Sequence, residues 1–346
     1  MLKTQDMDEQ CEQAPGELRP CHKHRARIAL LSNPRSTGNL AQLPRIREYC
    51  ADHPDIFHYE VESVGQIGDA MKSIARVRPK VLVINGGDGT VQATLTELYN
   101  GGHFGTDLPP VAVLPSGNTN LIALDLGASG DPIQTLARLI ELARSDDLGP
   151  YTVPRELIAL HRGDNERPIV GMFLGGAGLA DTMIYCRKKI YPLGLPKGVS
   201  HVITALALVA KLFTRAKASF LPELTAMHVH VRDRERTTSG HFSLLAVTTL
   251  EKLLMSSDLG GKREGALKVI AVEERPVSFI RAFAASLSGK LGGMNLRGVH
   301  FDVADEITIR GDRSHVILDG ETFQTEVGEA IHLRPAHPLS FVKLAA

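Results

Sequence analysis

The five residues Gly86 to Thr90 (GGDGT) combine residue types that could bind a phosphate group. They follow the apolar run Val81–Asn85 and lead into residues with helical period. Glycines permit positive φ angles and close approach of a backbone to a ligand, and N–H groups at the start of a helix attract anions. Thr90 is expected to cap that helix. The pattern therefore predicts a phosphate-binding turn between a strand and a helix.

Asp88 is the unusual member of this turn, because a carboxylate beside a phosphate repels it unless Mg²⁺ or a proton intervenes. The residue type therefore indicates metal-assisted phosphoryl chemistry. A tight turn with Asp88 as an ordinary helix cap explains the stretch equally well when it is taken alone. The chain contains neither GxxxxGKS/T nor GxGxxG, so the P-loop and the Rossmann dinucleotide fingerprint are excluded.

A second pair of carboxylates lies late in the chain, in Asp319-Gly320-Glu321. Asp-Gly is the commonest sequence of a type I′ hairpin, so this stretch alone predicts an ordinary turn. Because GGDGT is present in the same chain, we favour a functional role for the turn.

The elements around the first turn alternate between strand and helix. Strands are predicted at 26–34, 58–64, 81–85 and 110–117, and helices after the first of these, at 67–76 and at 91–99. Because several of the strands are unbroken apolar runs, we predict a doubly wound, mostly parallel α/β sheet that is covered on both faces.

The pattern changes near Tyr151, where short segments of alternating polarity begin. They predict a mostly antiparallel β domain, with a helical insertion at about 200–215. The predicted organisation has four parts. They are a disordered leader (1–25), a nucleotide-binding α/β domain (26–150), a β-rich acceptor domain (151–335) and a C-terminal segment that returns to the first domain (336–346).

Composition narrows the class of protein. The 346 residues are 43% hydrophobic and 23% charged, which suffices for two domains with separate cores. Lys plus Arg and Asp plus Glu number 39 each, so no overall charge favours a nucleic-acid partner. The cysteines form no CxxC pair, which fits a reducing cytoplasm better than a disulfide framework or a zinc site. They are Cys11, Cys21, Cys50 and Cys186.

Two further features bear on localisation. The first 25 residues are polar and lack the apolar core of a secretory signal. The longest apolar run, Val202 to Leu212, is too short for a transmembrane helix. We therefore expect a cytoplasmic protein. A further expectation is that it makes peripheral contact with the inner face of the membrane.

Four stretches, in order, resemble the motifs of one enzyme superfamily. GGDGT after an apolar strand resembles the signature of the diacylglycerol kinases, sphingosine kinases and NAD kinases. Three further matches are to the lipid kinases: Ser32–Ser36 (SNPRS) to their NPxSG loop, Leu114–Gly127 (LPSGNTNLIALDLG) to LPxGTxNDFAxxLG, and Val316–Phe323 (VILDGETF) to the DGE turn. GAGLAD at 176–181 is a looser match to GFxA. The resemblance spans residues 26–344 and favours the lipid kinases, since NAD kinases share GGDGT but neither LPxGTxN nor DGE.

The resemblance implies an ATP-dependent kinase that phosphorylates a hydroxyl of a diacylglycerol-like or sphingoid-like lipid at a membrane surface. ATP would lie between the domains with Mg²⁺ on its phosphates, and Asp88 and Asp319 would hold the metal. Glu321 would take the proton of the lipid hydroxyl from within about 3.2 Å, supported by Asp319. The implied nucleotide-binding residues are Asn33, Pro34, Arg35, Gly86, Gly87, Asp88, Gly89, Thr90, Ser116, Gly117, Asn118 and Asn120.

Two positions depart from the family pattern. The acid that usually follows GGDGT by three residues is Ala93 here, and the final Asp of GTxND is Leu121. Asp125, one helical turn after Leu121, is the nearest alternative carboxylate. Because of these two departures, the alternative that the protein is a catalytically decayed nucleotide or lipid sensor stays open. An NAD kinase is a second alternative, which the DGE turn and a basic insertion oppose.

This insertion, Thr182 to Pro222, contains seven Lys and Arg residues and no Asp or Glu, interleaved with apolar residues. It could rest on an anionic bilayer, form a core helix with solvated lysines, or direct Arg187, Lys188 and Lys189 to ATP phosphate. The acceptor lipid and the oligomeric state, including a homodimer, stay open.

Overall fold

The computed structural model describes residues 27–117, 120–163, 167–185, 227–232, 237–253, 257–258, 267–273, 296–310, 315–324 and 329–344, with positions 275, 277–278, 281–282 and 285. The predicted leader and the predicted helical insertion at about 200–215 lie outside the described residues. No helix in the described ranges is both long and apolar enough to cross a membrane.

Strands and helices alternate through the first half of the chain. The strands are β1 (Ile28–Ser32), β2 (Ile56–Glu60), β3 (Val81–Asn85) and β4 (Val111–Val113). The helices are α1 (Asn39–Ala51), α2 (Ile67–Val77), α3 (Asp88–Asn100), α4 (Leu121–Asp125) and α5 (Pro132–Ser145).

The first four strands form a parallel sheet in the order β2-β1-β3-β4, and helices cover both of its faces. Alternate residues of one strand therefore enter different cores. In β3, Leu82 and Ile84 pack with α2 and α3, whereas Val81 and Val83 pack with α1 and α5. Burial on both faces explains why the strand is apolar at every position but its last.

The second half is built mostly from antiparallel strands. They are β5 (Thr152–Arg162), β6 (Ile169–Gly171), β7 (Phe173–Ala177), β8 (Met227–Arg232), β9 (Thr237–Thr248), β10 (Lys252–Leu253), β11 (Ser257–Asp258), β12 (Leu267–Glu273), β13 (Val299–Ala304), β14 (Glu306–Arg310), β15 (His315–Leu318), β16 (Glu321–Gln324) and β17 (Ile331–Val342). One helix, α6 (Gly178–Tyr185), follows β7 directly.

The strand β17 joins the two parts into one continuous sheet. It pairs antiparallel with β5 and β14, and at its end Phe341 lies parallel beside Val111 of β4. The sheet then continues as β14-β8-β9-β7-β15-β16. The last strand of the chain thus returns to the parallel region, and the DGE turn lies at the far edge of the antiparallel region.

The predicted fold class is confirmed, but some predicted boundaries were wrong. The strand predicted at 58–64 occupies Ile56–Glu60, and the one predicted at 110–117 ends at Val113. Helix α3 begins at Asp88, three residues before the predicted start, so the aspartate lies within the first turn. A turn that is continuous with a helix is difficult to separate from it by hydrophobic period alone.

An ion-pair network joins α4, β5, the segment after β9 and the C-terminal segment. The Arg155 guanidinium pairs with Asp125 at 3.2 Å and with Glu251, and Lys343 also pairs with Glu251 at 3.1 Å. The side chain of Asp125 is fully buried, and its Oδ1 accepts the N–H of Glu251 at 3.0 Å. The bond from Arg155 is the main reason that the pKa of Glu251 falls from an ordinary 4.5 to about 2.

The variant Glu251→Gln should therefore lose stability in a pH-dependent way. Because the folded-state pKa is lowered, the glutamate stabilises the fold above pH 4.5, and this contribution disappears as the pH falls towards 2. The Glu251 side chain is 51% exposed, so solvent screening limits the expected loss near neutral pH to about 1 kcal/mol. Urea unfolding of parent and variant across this pH range measures it. A difference that stays constant with pH would contradict the assignment.

Candidate functional site

The GGDGT turn begins helix α3 at the carboxyl end of β3. Gly87 is the N-cap residue, with an extended backbone, and its carbonyl accepts the N–H groups of Thr90 at 2.9 Å and Val91 at 3.1 Å. Thr90 does not cap the helix, contrary to expectation, because it lies within the first turn. Its Oγ1 instead accepts a bond of 2.8 Å from Nδ2 of Asn33.

Two glycines of this turn, Gly86 and Gly89, are required by close packing and not by backbone angle. None of Gly86, Gly87 and Gly89 has a positive φ, so that part of the prediction was wrong. A Cβ on Gly86 would approach the Cβ of Thr90 to 2.7 Å, and one on Gly89 would collide with Oε1 of Glu321. The turn is therefore compact, and its outer side is in direct contact with the DGE turn.

The loop after β1 is fastened to the GGDGT turn through Asn33. Its N–H donates to the carbonyl of Asn85 at 2.9 Å, and its Oδ1 accepts the N–H of Arg35 at 2.9 Å. Pro34 is half-buried, whereas the Arg35 guanidinium is exposed and pairs with Glu62 at 3.2 Å. Of the predicted nucleotide contacts in this loop, Asn33 thus lies against the turn.

Asn39, which the sequence analysis missed, fixes the position of both loops. It is buried, and its Nδ2 donates to the carbonyls of Asn33 at 2.8 Å and Asn85 at 3.0 Å. No motif in the sequence marks it; the signal is an asparagine at the first position of a helix, where polar residues satisfy backbone groups.

Asn39→Ala should lower the free energy of unfolding by about 1–3 kcal/mol, because it leaves two carbonyls without this donor. Chemical unfolding measures the loss. Gln134→Ala is the matched control, since Gln134 is exposed on α5, and it should change stability by less than about 0.5 kcal/mol. Equal effects of the two variants would show that Asn39 does not join the loops.

The loop after β4 completes one side of the site. The carbonyl of Ser116 accepts bonds from Oγ of Ser36 at 2.8 Å and from the N–H of Gly38 at 3.1 Å. Gly117 donates its N–H to Oδ1 of Asn120 at 2.6 Å, and a Cβ on Gly117 would lie 3.1 Å from the Cα of Gly87. Three loops therefore meet at the carboxyl ends of parallel strands, where ligands bind in open α/β sheets. The predicted Asn118 lies outside the described residues.

The DGE turn connects β15 and β16 as a tight hairpin. Leu318 pairs with Glu321, and the two residues between them, Asp319 and Gly320, have φ angles of +43° and +89°. Both angles lie in the left-handed region, as a type I′ turn requires. The predicted hairpin turn is therefore confirmed, and the functional role of the turn stays a prediction.

Asp319 is buried under this hairpin, with 5% of its surface exposed. Its Oδ2 accepts the N–H of Met172 at 2.8 Å, and its Oδ1 accepts the N–H of Phe173 at 2.9 Å. Burial raises the pKa of Asp319 to about 7; the two N–H bonds oppose this shift, and the negative charge of Asp88 adds to it. Asp88 and Asp319 are therefore close enough to repel each other.

The structure thus brings three predicted acidic residues together. Glu321 is exposed with its carboxylate against Gly89, and Asp319 is near enough to Asp88 for the negative charge of Asp88 to raise its pKa. In the described part of the chain no group of three or more His, Cys, Asp or Glu side chains could hold a metal ion alone. A cation would relieve the repulsion between the two aspartates, and Mg²⁺ commonly combines one or two carboxylates with substrate phosphates.

The two positions that depart from the family pattern are occupied by apolar residues that pack against the core. Ala93 and Leu121 are partly buried against the core that contains α2 and α3. Asp125 does not take over the role of a missing acid, because it is buried in the ion pair with Arg155. The predicted phosphate or membrane contacts Arg187, Lys188 and Lys189 lie outside the described residues.

A groove of about 1810 Å³ lies at the opposite, amino-terminal edge of the parallel strands. Its cations include Lys80, which pairs with Asp146, and Arg144, which pairs with Asp55 at 2.7 Å. Helices α2 and α5 end near this groove, and cations at helix C-termini compensate the helix dipole. The charges of the groove are thus explained by the fold, and the site is assigned to the carboxyl edge.

Comparison with known proteins agrees with the overall fold. Residues 27–149 match the family model of the diacylglycerol kinase catalytic domain. A candidate diacylglycerol kinase from Bacillus anthracis str. Sterne superposes with a TM-score of 0.60 at 17% identity, covering 92% of this chain and 97% of that chain. A diacylglycerol kinase from the same organism gives 0.55 at 15% identity with the same coverage. At these identities the superpositions show a common fold. No curated protein matches the sequence.

Proposed function

We propose, from the premise that residues 27–149 match the family model of the diacylglycerol kinase catalytic domain, that this protein is an ATP-dependent lipid kinase. It transfers the γ-phosphoryl group to a hydroxyl of a diacylglycerol-like or sphingoid-like lipid. One observation carries the proposal: the Glu321 carboxylate lies directly against Gly89 of the GGDGT turn. A carboxylate that can accept a proton thus stands beside a helix N-terminus that can receive phosphate.

The roles of the residues follow from their positions. The first turn of α3 and the loops of Asn33 and Ser116 bind and orient the phosphates. The lipid oxygen attacks the γ-phosphorus while the bond from that phosphorus to the β,γ-bridging oxygen breaks, and Glu321 receives the hydroxyl proton. Asp319, held by two backbone N–H groups, fixes the hairpin that presents Glu321. Positioning and charge neutralisation supply most of the catalysis in phosphoryl transfer.

Asp88 and Asp319 are the residues that would hold Mg²⁺. The metal would neutralise charge on the phosphates, and the mutual repulsion of these carboxylates supports a cation at this place. The acceptor requires contact with a bilayer, so we propose a cytoplasmic protein that acts at the membrane surface.

The proposal is tested by transfer of labelled γ-phosphate from ATP to an extracted lipid mixture with Mg²⁺. A labelled lipid is expected, and its mass identifies the acceptor. Incubation with NAD in place of lipid tests the alternative that the protein is an NAD kinase. ATP binding without transfer to either acceptor would favour a decayed binding protein, which the apolar Ala93 and Leu121 motivate.

A further inference from the structure

Histidines are concentrated on one face of the antiparallel sheet. In β8, in β14 and at the start of β17, every second residue packs into one buried core of the antiparallel sheet, which includes Val229, Ile307 and Leu333. The residues between them point to the other side of the sheet, because side chains alternate along a strand. We call this side the histidine face and define it by His161, His228, His230, His241, His332, Arg232, Arg310, Arg334, Glu306 and Thr308.

Strand register makes this face continuous. His332 lies opposite His161 of β5 on one side and Thr308 of β14 on the other, and Thr308 lies opposite His230 of β8. Oγ1 of Thr308 lies 3.3 Å from Nδ1 of His332. The row therefore crosses four neighbouring strands.

A second row lies one step along the strands. His228 is opposite His241 of β9 and Arg310 of β14, and the two imidazole rings are 5.1 Å apart at an angle of 71°. The side chains of Arg232 and Arg334 are 66% and 59% exposed. The face is thus broad, polar and accessible at its arginines.

The permanent charges of the face favour an anionic partner. The face as defined contains three arginines and one acid, Glu306. Oε1 of Glu306 accepts a bond of 2.6 Å from Arg334, and its Oε2 pairs with Arg232 at 3.3 Å. The bond from Arg334 is the main cause that lowers the pKa of Glu306. The face therefore carries a positive excess even when its histidines are neutral.

Acidification adds to this excess, since histidine gains its charge between about pH 8 and pH 5. Burial, with the positive charges of Arg334 and His332, lowers the pKa of His161. This residue therefore gains its charge at a lower pH than an ordinary histidine. Glu156 lines a cavity of about 420 Å³ together with His161, Tyr99 and His337, and is a second acid near that end of the row.

We propose that the histidine face docks onto an anionic phospholipid bilayer, and that this docking strengthens as the pH falls. Several strands present their charges side by side, as contact with a planar anionic surface requires. Each additional cation near such a surface strengthens binding roughly fivefold. The choice of a bilayer over another polyanion rests on the proposed function, because a lipid kinase must reach its acceptor.

Co-sedimentation of the full chain with vesicles tests the proposal. The probe is phosphatidylglycerol mixed into phosphatidylcholine, compared with phosphatidylcholine alone and with duplex DNA, at about pH 7.5 and about pH 5.5. We expect binding to the anionic vesicles to rise by at least about tenfold on acidification. His228→Asn with His332→Asn should abolish most of this rise.

The matched control is His53→Asn with His300→Asn, which removes two imidazoles outside the histidine face and should retain the rise. An acid-induced rise that is absent, or equal in both double variants, would overturn the proposal. DNA binding as tight as vesicle binding at the lower pH would also overturn it. Circular dichroism at both pH values confirms that the variants are folded.

Phosphate transfer to a short-chain, water-soluble diacylglycerol separates this inference from the proposed function. If the parent transfers phosphate to this soluble acceptor but does not bind anionic vesicles, the docking surface is contradicted and the proposed kinase activity is not. Acid-dependent vesicle binding without any transfer supports the surface and contradicts the kinase activity.

Discussion

Glu321→Gln is expected to lower kcat for lipid phosphorylation by about 10³-fold, because general-base catalysis contributes about 10²–10⁴-fold. Glutamine keeps the shape of the side chain but cannot accept the hydroxyl proton. Since Glu321 is exposed and Asp319 supplies the buried contacts of the hairpin, the KM for ATP and the stability should change little. Steady-state transfer of labelled phosphate, with thermal unfolding in parallel, measures these quantities.

Glu141→Gln is the matched control, because Glu141 is an exposed glutamate of α5, and its kcat should equal that of the parent. A Glu321→Gln protein with the parent rate would remove this residue from the mechanism. It would leave open which other group accepts the proton, and the contact with Gly89 would then be a matter of packing only.

Gly89→Ala is the second large effect that we expect, with kcat lowered by about 10²-fold. The added Cβ would occupy the space of the Glu321 carboxylate, and a displacement of about 1 Å at a reacting group can cost this much. Alanine is a better helix former than glycine by about 1 kcal/mol, so the helix itself should not suffer. The kcat and the unfolding free energy of the variant distinguish these effects.

Gly65→Ala is the matched glycine control, since no atom lies within 4 Å of the Cβ it would add, and full activity is expected. If Gly89→Ala acts through Glu321, the double variant with Glu321→Gln should be no slower than Glu321→Gln alone. Additive losses would instead indicate that alanine disturbs phosphate binding, and full activity of Gly89→Ala would show that Glu321 readily moves aside.

Local patterns in the sequence identified much of the fold. The apolar strand Val81–Asn85 was predicted with its exact bounds, and α2 within one residue, because burial on both faces and helical period are both properties of neighbouring residues. The Asp-Gly pair at 319–320 likewise predicted a hairpin turn, since its backbone angles depend mainly on those two residues. Boundaries such as the start of α3 were less accurate, because the turn and the helix share residues.

The site depended on contacts between distant parts of the chain. Gly89 and Glu321 are far apart in sequence, so the reason for that glycine was not visible until the hairpin was placed against α3. The burial of Asp319 depends on the backbone N–H groups of Met172 and Phe173, which carry no side-chain signal. Asn39 was missed and Asp125 was misjudged for the same reason, since their partners come from other elements.

The sequence by itself therefore determined which residues form strands, helices and glycine turns, and which carboxylates are candidates for chemistry. Only the tertiary structure decided which carboxylates meet, which one is buried, and which face of the antiparallel sheet collects the histidines. The physical reason is range: propensity and period act between neighbours, whereas burial, charge repulsion and strand register depend on residues that only folding brings together.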